Sequence, residues 1–334
     1  MLNIGVIGYG YWGPNLVRNF VEAPAAQMLM VADMNPDQLQ RLQMCYPTIE
    51  VTTDVNELIR HPDIDAIAIA TPVNTHFPLA LAALQAGKHV LVEKPMAANP
   101  AQAQQLIDAA QQRNLVLMVD HTFVYTGAVR KIAALIRNGE IGEVYYYDST
   151  RVNLGLFQHD VNVIWDLAVH DLSIIEYVLK CEPRAVSATG MSHVGGQPEN
   201  VAYLTIYYDD NLIAHVNVNW LAPVKIRRTL IGGSKQMIVY DALEPIETVK
   251  VYDKGIDVTS AEDIYRTLIS YRTGDMYSPK LDMTEALQRE ARHFIMCIKE
   301  GRQPETDGAA GLRVVKILQA ATESIRNRGG VVEL

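Results

Sequence analysis

Two styles of sequence meet near residue 122, and together they predict an α/β chain. A doubly wound parallel sheet comes first, then an α+β region built on a large, mostly antiparallel open sheet. Three observations carry this expectation. Short, continuously apolar runs alternate with helical patterns through the first third, as strands buried on both faces of a parallel sheet require. A glycine-rich turn follows the first of these runs at once. After residue 122, runs rich in β-branched and aromatic residues succeed one another across short turns, which favours antiparallel pairing. The division expected is 1–121 for the first domain and 122–334 for the second, with the last helix free to return to the first.

Ile4-Gly5-Val6-Ile7 opens the first sheet. Met28–Ala32, Ala66–Ala70, His89–Val92 and Leu115–Val119 follow as further strands. Asn35-Pro36 and Asn99-Pro100 each set an N-cap residue before a proline at the first helical position. The Ala/Gln-rich stretch Ala101–Gln112 has high helix propensity. In the second region Val144–Asn153, Val201–Tyr208, Leu212–Trp220, Thr229–Ile231 and Met237–Tyr240 read as strands, with a hairpin turn at Asp209-Asp210-Asn211. Trp165–Leu179 and Thr284–Lys299 read as helices beside that second sheet, and Asp307–Asn327 as the last helix.

Composition narrows the class. Of 334 residues, 49% are hydrophobic and 20% charged, the balance of a globular protein. The 29 basic residues against 38 acidic ones leave a formal charge of −9, which gives no general attraction for nucleic acid or an anionic membrane. Cys45, Cys181 and Cys297 are far apart, so neither a disulfide framework nor a zinc knuckle is expected. Met1 leads straight into a strand, and no run reaches the roughly 18 apolar residues of a membrane helix. The expectation is a cytoplasmic protein in a reducing compartment.

Gly8-Tyr9-Gly10-Tyr11-Trp12-Gly13 is a G-x-G-x-x-G placed between a strand and a helix. Gly8 permits the tight turn, Gly10 lets backbone N–H groups approach a pyrophosphate, and Gly13 allows close helix–strand packing. The helix behind it turns its positive dipole end to the phosphates. Asp33 lies 20 residues beyond Gly13, where a carboxylate accepts ribose hydroxyls and repels a 2′-phosphate. Met34 follows it, and no arginine comes at once, so NAD is favoured over NADP.

Glu93-Lys94-Pro95 ends a strand at the carboxyl edge, where ligands of open α/β sheets bind. Lys94 there is either a group facing the nicotinamide or a surface lysine beside a turn proline that can be cis. Asp166 and His170 are four apart and share one helix face. They serve two readings, a carboxylate–imidazole pair that accepts protons or a polar pair that supports packing. No H-E-x-x-H or second histidine accompanies them, so no metal is expected. His76 follows Thr71 and Pro72 at the start of a helix and by position alone is a helix-start residue.

In combination, the glycine loop, Ala70-Thr71-Pro72, Glu93-Lys94-Pro95 and Asp166-x-x-x-His170 resemble the Gfo/Idh/MocA family of sugar and inositol oxidoreductases, in order from residue 3 nearly to the C-terminus. The resemblance implies a Rossmann NAD domain holding cofactor through Gly8, Gly10, Tyr11, Trp12, Gly13, Asp33, Met34, Thr71, Pro72, His76, Glu93 and Lys94. It implies that Lys94, Asp166 and His170 line the substrate pocket, with Tyr125 and Asn153 as further pocket candidates from matching segments. It also implies a homodimer or homotetramer built through the second sheet's open face. Arg151–Gly155, Trp165–Asp171, Asn219–Pro223 with Lys225, Arg227 and Arg228, and Tyr252–Gly255 are similar to UDP-N-acetylglucosamine or UDP-N-acetylglucosaminuronate 3-dehydrogenases of surface-polysaccharide pathways. Lys225, Arg227 and Arg228 form either a basic group suited to a diphosphate or a solvated strand edge.

The reaction expected is NAD-dependent oxidation of a secondary sugar hydroxyl. His170 would be the base, Lys94 the alkoxide stabiliser, and Asp166 the group orienting His170 or gripping a hydroxyl; Lys94 and His170 can exchange roles. The same motifs suit an NAD(P)H-dependent ketosugar reductase or an inositol or free-sugar dehydrogenase. A non-catalytic NAD-binding sensor would have no reason to keep Lys94, Asp166 and His170 together.

Overall fold

The computed structural model describes residues 1–155, 161–195, 198–209, 211–258 and 269–334. They belong to two compact units, Met1–Tyr125 with Thr284–Lys316, and Thr126–Met283 with Ile317–Leu334.

The first unit is built on a parallel sheet of β1 (Leu2–Ile7), β2 (Ala26–Ala32), β3 (Glu50–Thr52), β4 (Ala66–Ile69), β5 (His89–Glu93) and β6 (Leu117–Asp120). Their order, β3-β2-β1-β4-β5-β6, reverses between β1 and β4, which opens a ligand crevice at the carboxyl edge. Every apolar run read from the sequence became a strand because both faces are covered: Ile67, Ile69, Val90 and Val92 are fully buried. The short β3 carried too few apolar residues to be read. Both asparagine–proline starts cap helices as expected, since Asn35 Oδ1 accepts from Asp37 N at 3.0 Å and Asn99 Oδ1 from Gln102 N at 3.0 Å.

One helix sits elsewhere than the sequence reading put it. The segment read beside the second sheet forms the helix Ala286–Glu300, which belongs to the first unit. Phe294 meets Phe20 edge-on with centroids 6.4 Å apart, Glu285 chelates Arg18, and Arg289 Nη1 donates to the Tyr125 carbonyl at 2.9 Å. Its amphipathic pattern specified a buried face, and Phe20 on α1 (Gly13–Val21) supplied the partner.

The second unit carries β7 (Val144–Leu154), β8 (Ala185–Met191), β9 (Val201–Tyr207), β10 (Ile213–Asn219), β11 (Leu221–Gly233), β12 (Met237–Asp241), β13 (Val249–Val258), β14 (Ile269–Tyr277) and β15 (Val332–Glu333). They form one sheet in the order β14-β13-β12-β11-β7-β10-β9-β8-β15. β7 and β10 pair in parallel, and the other described pairs are antiparallel. The β9–β10 hairpin is present, with Asn211 at φ 63° and Asp210 outside the described residues. Alternation gives the sheet two unlike faces: Ala202, Leu204, Ile206, Ala214, Val216 and Val218 are buried, whereas Tyr203, Tyr207 and Ile213 are exposed.

On the buried face Arg151 Nε donates to Asp171 Oδ2 at 2.6 Å, with both side chains at most 5% exposed. Asp171 leads into this pair from α7 (Val169–Leu179). Among the described residues no helix is long and apolar enough to cross a membrane.

Candidate active site

The three motif glycines do three different jobs. Gly8 has φ +96°, and a Cβ on it would lie 2.6 Å from the Ala70 carbonyl oxygen. A Cβ on Gly13 would lie 2.1 Å from the Gly8 oxygen, so the helix start and the strand end approach as only glycine permits. Gly10 has nothing within 4 Å of its Cβ position, which leaves its backbone open to a ligand. Asp33, half-buried at the end of β2, accepts from Tyr9 N at 2.6 Å and from Asn35 N at 2.8 Å. Tyr11 and Met34 are 94% and 86% exposed, side chains free to cover a ligand laid along the loop. An open glycine loop, a helix N-terminus and a fixed carboxylate fit a dinucleotide with free ribose hydroxyls.

The exits of β4 and β5 are tied together by His76. Its buried ring places Nδ1 2.8 Å from the Pro95 carbonyl and Nε2 2.7 Å from the Thr71 carbonyl. Burial lowers its pKa while the two carbonyls oppose that shift. A ring so engaged positions the Thr71 and Pro95 backbones; it does not reach outward to a cofactor. The Lys94–Pro95 peptide is cis, as the turn proline suggested. Lys94 is half-buried at the same exit, and its N–H donates to Glu93 Oε2 at 3.1 Å.

Next to Glu93 lies a group that sequence reasoning missed. Asp120 stands directly opposite Glu93 in the β5–β6 register. It accepts from the indole Nε1 of Trp12 at 2.8 Å and from the Thr122 hydroxyl. Trp12, read as a cofactor residue, thereby tethers the glycine loop to β6. Glu290, fully buried on the helix Ala286–Glu300, approaches the same Asp120. His121 is buried beside them, and burial pulls its pKa down to about 4. Asp120-His121 at a strand exit was the available sequence signal, but nothing in the chain's order linked it to a glutamate 170 residues away.

Tyr125, read as a pocket residue, is instead a core residue of the first unit. It has no exposed surface, its hydroxyl is 3.0 Å from Thr306 Oγ1, and its ring lies 5.6 Å from that of His293.

In the second unit the Asp166–His170 segment begins with a wide turn. Ile164–Ala168 takes the i→i+5 bonding of a π-helix before α7 starts at Val169, a form often found at functional sites. Asp166 Oδ2 accepts from the indole of the buried Trp220 at 3.1 Å, which fixes the carboxylate. His170 is half-buried in the first turn of α7, where its carbonyl accepts from Ser173 Oγ at 2.7 Å. Asn153 is half-buried near the end of β7.

The basic residues do not form a single group. Arg227 pairs in register with Arg151 and so shares the buried face, whereas Arg228 pairs with Thr150 and stands on the opposite, exposed one. Strand alternation separates neighbours that a linear reading groups together. Lys225 is exposed.

Comparison with known proteins agrees with this geometry. The family description "Oxidoreductase family, NAD-binding Rossmann fold" matches residues 2–121, and "GFO/IDH/MocA C-terminal domain" matches residues 129–239. A UDP-N-acetylglucosamine 3-dehydrogenase of Acidithiobacillus ferrooxidans is 27% identical over 323 residues, 94% of each chain. The solved structure of that organism's UDP-N-acetylglucosamine 3-dehydrogenase GnnA superposes with a TM-score of 0.81 at 26% identity, covering 98% of both chains. A myo-inositol 2-dehydrogenase of Thermotoga maritima is 23% identical, covering 99% of this chain and 98% of its own. With the glycine loop, the switch-point crevice and both matched regions accounted for, the chain belongs to the Gfo/Idh/MocA family and is an NAD-binding oxidoreductase.

Proposed function

We propose that the protein oxidises a secondary sugar hydroxyl with NAD, and that the substrate is a UDP-linked amino sugar or its uronate, oxidised at C3. The observation that carries the sugar reading is that the chain has both Lys94, at the β5 exit of the first unit, and Asp166 with His170, at the wide turn before α7 of the second. The nucleotide-sugar reading is supported by the near full-length relative that acts on UDP-N-acetylglucosamine.

The bound nicotinamide supplies the hydride acceptor. The chain's own residues handle the proton. His170 takes it from the reacting hydroxyl, acting as general base. Lys94 donates to the same oxygen and stabilises the alkoxide charge that develops there. Asp166, fixed by the Trp220 indole, orients His170 or accepts from a neighbouring sugar hydroxyl. Asn153 adds a polar contact, and the diphosphate falls to Arg227 and Lys225 because Arg228 faces away.

Nicotinamide absorbance with NAD or NADP and a panel of UDP-hexosamines, UDP-hexosaminuronates, free sugars and inositol tests this reading. A 2-oxoacid is run in parallel to reoxidise any NADH retained by the protein. Turnover of a UDP-sugar with NAD is the expected result. Turnover confined to inositol or a free sugar removes the nucleotide-sugar assignment and favours the second reading, which the inositol dehydrogenase among the relatives supports. Reduction of a ketosugar alone reverses the direction.

The second sheet's exposed Tyr203, Tyr207 and Ile213 support self-association through that face. Sedimentation velocity is expected to give two or four chains per particle, and a single-chain mass rejects the inference.

A further inference from the structure

We propose that Glu93 and Glu290, each pressed against Asp120, form a shared proton store, which gives up a proton when the oxidised, positively charged nicotinamide binds and retains it beside the neutral reduced ring. The inference rests on NAD binding and is independent of which sugar is oxidised.

Asp120 accepts from Trp12 Nε1 and Thr122 Oγ1, and Glu93 accepts from the Lys94 N–H. The Thr122 hydroxyl stands near both Asp120 and Glu290 but has a single proton, which it gives to Asp120; among the described residues neither oxygen of the buried Glu290 has a well-placed donor of its own. Its approach to Asp120, like that of Glu93 to Asp120, brings carboxyl oxygen to carboxyl oxygen. Such a contact is attractive only with a proton between the two oxygens.

The surroundings favour keeping that proton at neutral pH. Burial first, and then Asp120, push the carboxyls of Glu290 and Glu93 well above the usual range. Lys94 opposes the shift of Glu93, and the Thr122 hydroxyl that of Glu290. His121, pulled down to about 4 by burial, is neutral and offers no compensating charge. Tyr125 faces Glu290 and is itself held protonated by burial, with Glu305 acting in the same direction. His76 beside Lys94 is likewise pushed toward its neutral form by burial. Among the described residues no group of three or more acidic, histidine or cysteine side chains is arranged to hold a metal ion.

The store stands at the exits of β5 and β6, the half of a doubly wound sheet that carries the nicotinamide end of a dinucleotide crossing at β1 and β4. Trp12 joins it directly to the cofactor loop. A positive charge brought to that edge favours the ionised carboxylate, so a proton passes to solvent; removal of the charge on reduction draws one back. Because the proton leaves on binding, affinity for the oxidised cofactor rises with pH, whereas affinity for the reduced form does not.

The test is calorimetric titration of the full-length protein with NAD+ and with NADH, each in phosphate and in Tris, so that ionisation heats report the protons exchanged. NAD+ is expected to release up to about one proton more than NADH, and its affinity to rise by as much as about tenfold per pH unit where the store titrates. Glu290→Gln is expected to bind NAD+ with that difference abolished, and Lys94→Met to keep a difference whose pH range moves upward, because Lys94 holds the Glu93 carboxyl down. Equal proton counts for the two cofactor forms overturn the proposal. So does a difference that survives in Glu290→Gln or vanishes in Lys94→Met, which would assign the proton to the lysine. If Glu290→Gln does not fold, the wild-type pH dependence and Lys94→Met decide. Absence of binding by either form would instead overturn the cofactor assignment beneath it.

Discussion

Lys94→Ala is expected to lower kcat by roughly 10²–10⁴-fold while the protein still binds NAD, measured by nicotinamide absorbance and by calorimetry. The size follows from the task. Removing one donor aimed at a developing alkoxide costs about 10²–10³-fold, and removing a proton-transfer group costs up to about 10⁴-fold. Glycine-loop geometry does not depend on this side chain, since Gly8, Gly13 and Asp33 are held by backbone contacts of their own. Equal losses in kcat and kcat/KM would place the interaction in the transition state, as proposed. A variant that keeps kcat and raises only KM would reduce Lys94 to a binding residue and move the alkoxide to another donor. The discriminating companion is His170→Asn, whose pH–rate profile is expected to lose its acidic limb if the imidazole is the base.

The largest expected stability effect lies far from the chemistry. Arg151→Met strips Asp171 of its ion-pair partner on the buried face of the second sheet, which costs about 3–5 kcal/mol. For a unit of this size the transition would fall by on the order of 10 °C, read by calorimetry. The neighbouring Tyr147 and Tyr240 are buried with their pKa values pushed up, and neither can supply a counter-charge. Replacing both partners, as Arg151→Met with Asp171→Leu, is expected to recover most of the loss, because a well-packed apolar pair avoids the uncompensated charge. A single variant as stable as the parent would mean that water reaches Asp171.

The first sheet was legible in the sequence because a strand buried on both faces advertises itself as an unbroken apolar run. Its glycine loop was legible because backbone crowding at Gly8 and Gly13 admits no side chain. What escaped notice depended on contacts between distant segments. The face of the helix Ala286–Glu300 was readable but not its partner, since Phe294 could as well have met the second sheet as Phe20. Tyr125 belonged to a matching segment, yet its burial is decided by Thr306 and His293, about 170–180 positions away. Lys225, Arg227 and Arg228 looked like one basic group until the pleat put Arg228 on the other side. Three carboxylates on β5, β6 and a late helix converge without any local pattern to announce them.

The indole of Trp12 has an optical consequence. The chain contains three tryptophans, and each N–H is held by a named acceptor: Trp12 by Asp120, Trp165 by Thr322 and Trp220 by Asp166. Fluorescence from this protein therefore comes from three anchored emitters rather than from mobile surface rings. Trp12 stands in the cofactor loop, where an arriving reduced nicotinamide, which absorbs where indole emits, would accept its excitation energy, while Trp220 reports on the Asp166 carboxylate. Native emission can thus follow the loading of reduced dinucleotide and events at Asp166 separately without an added label.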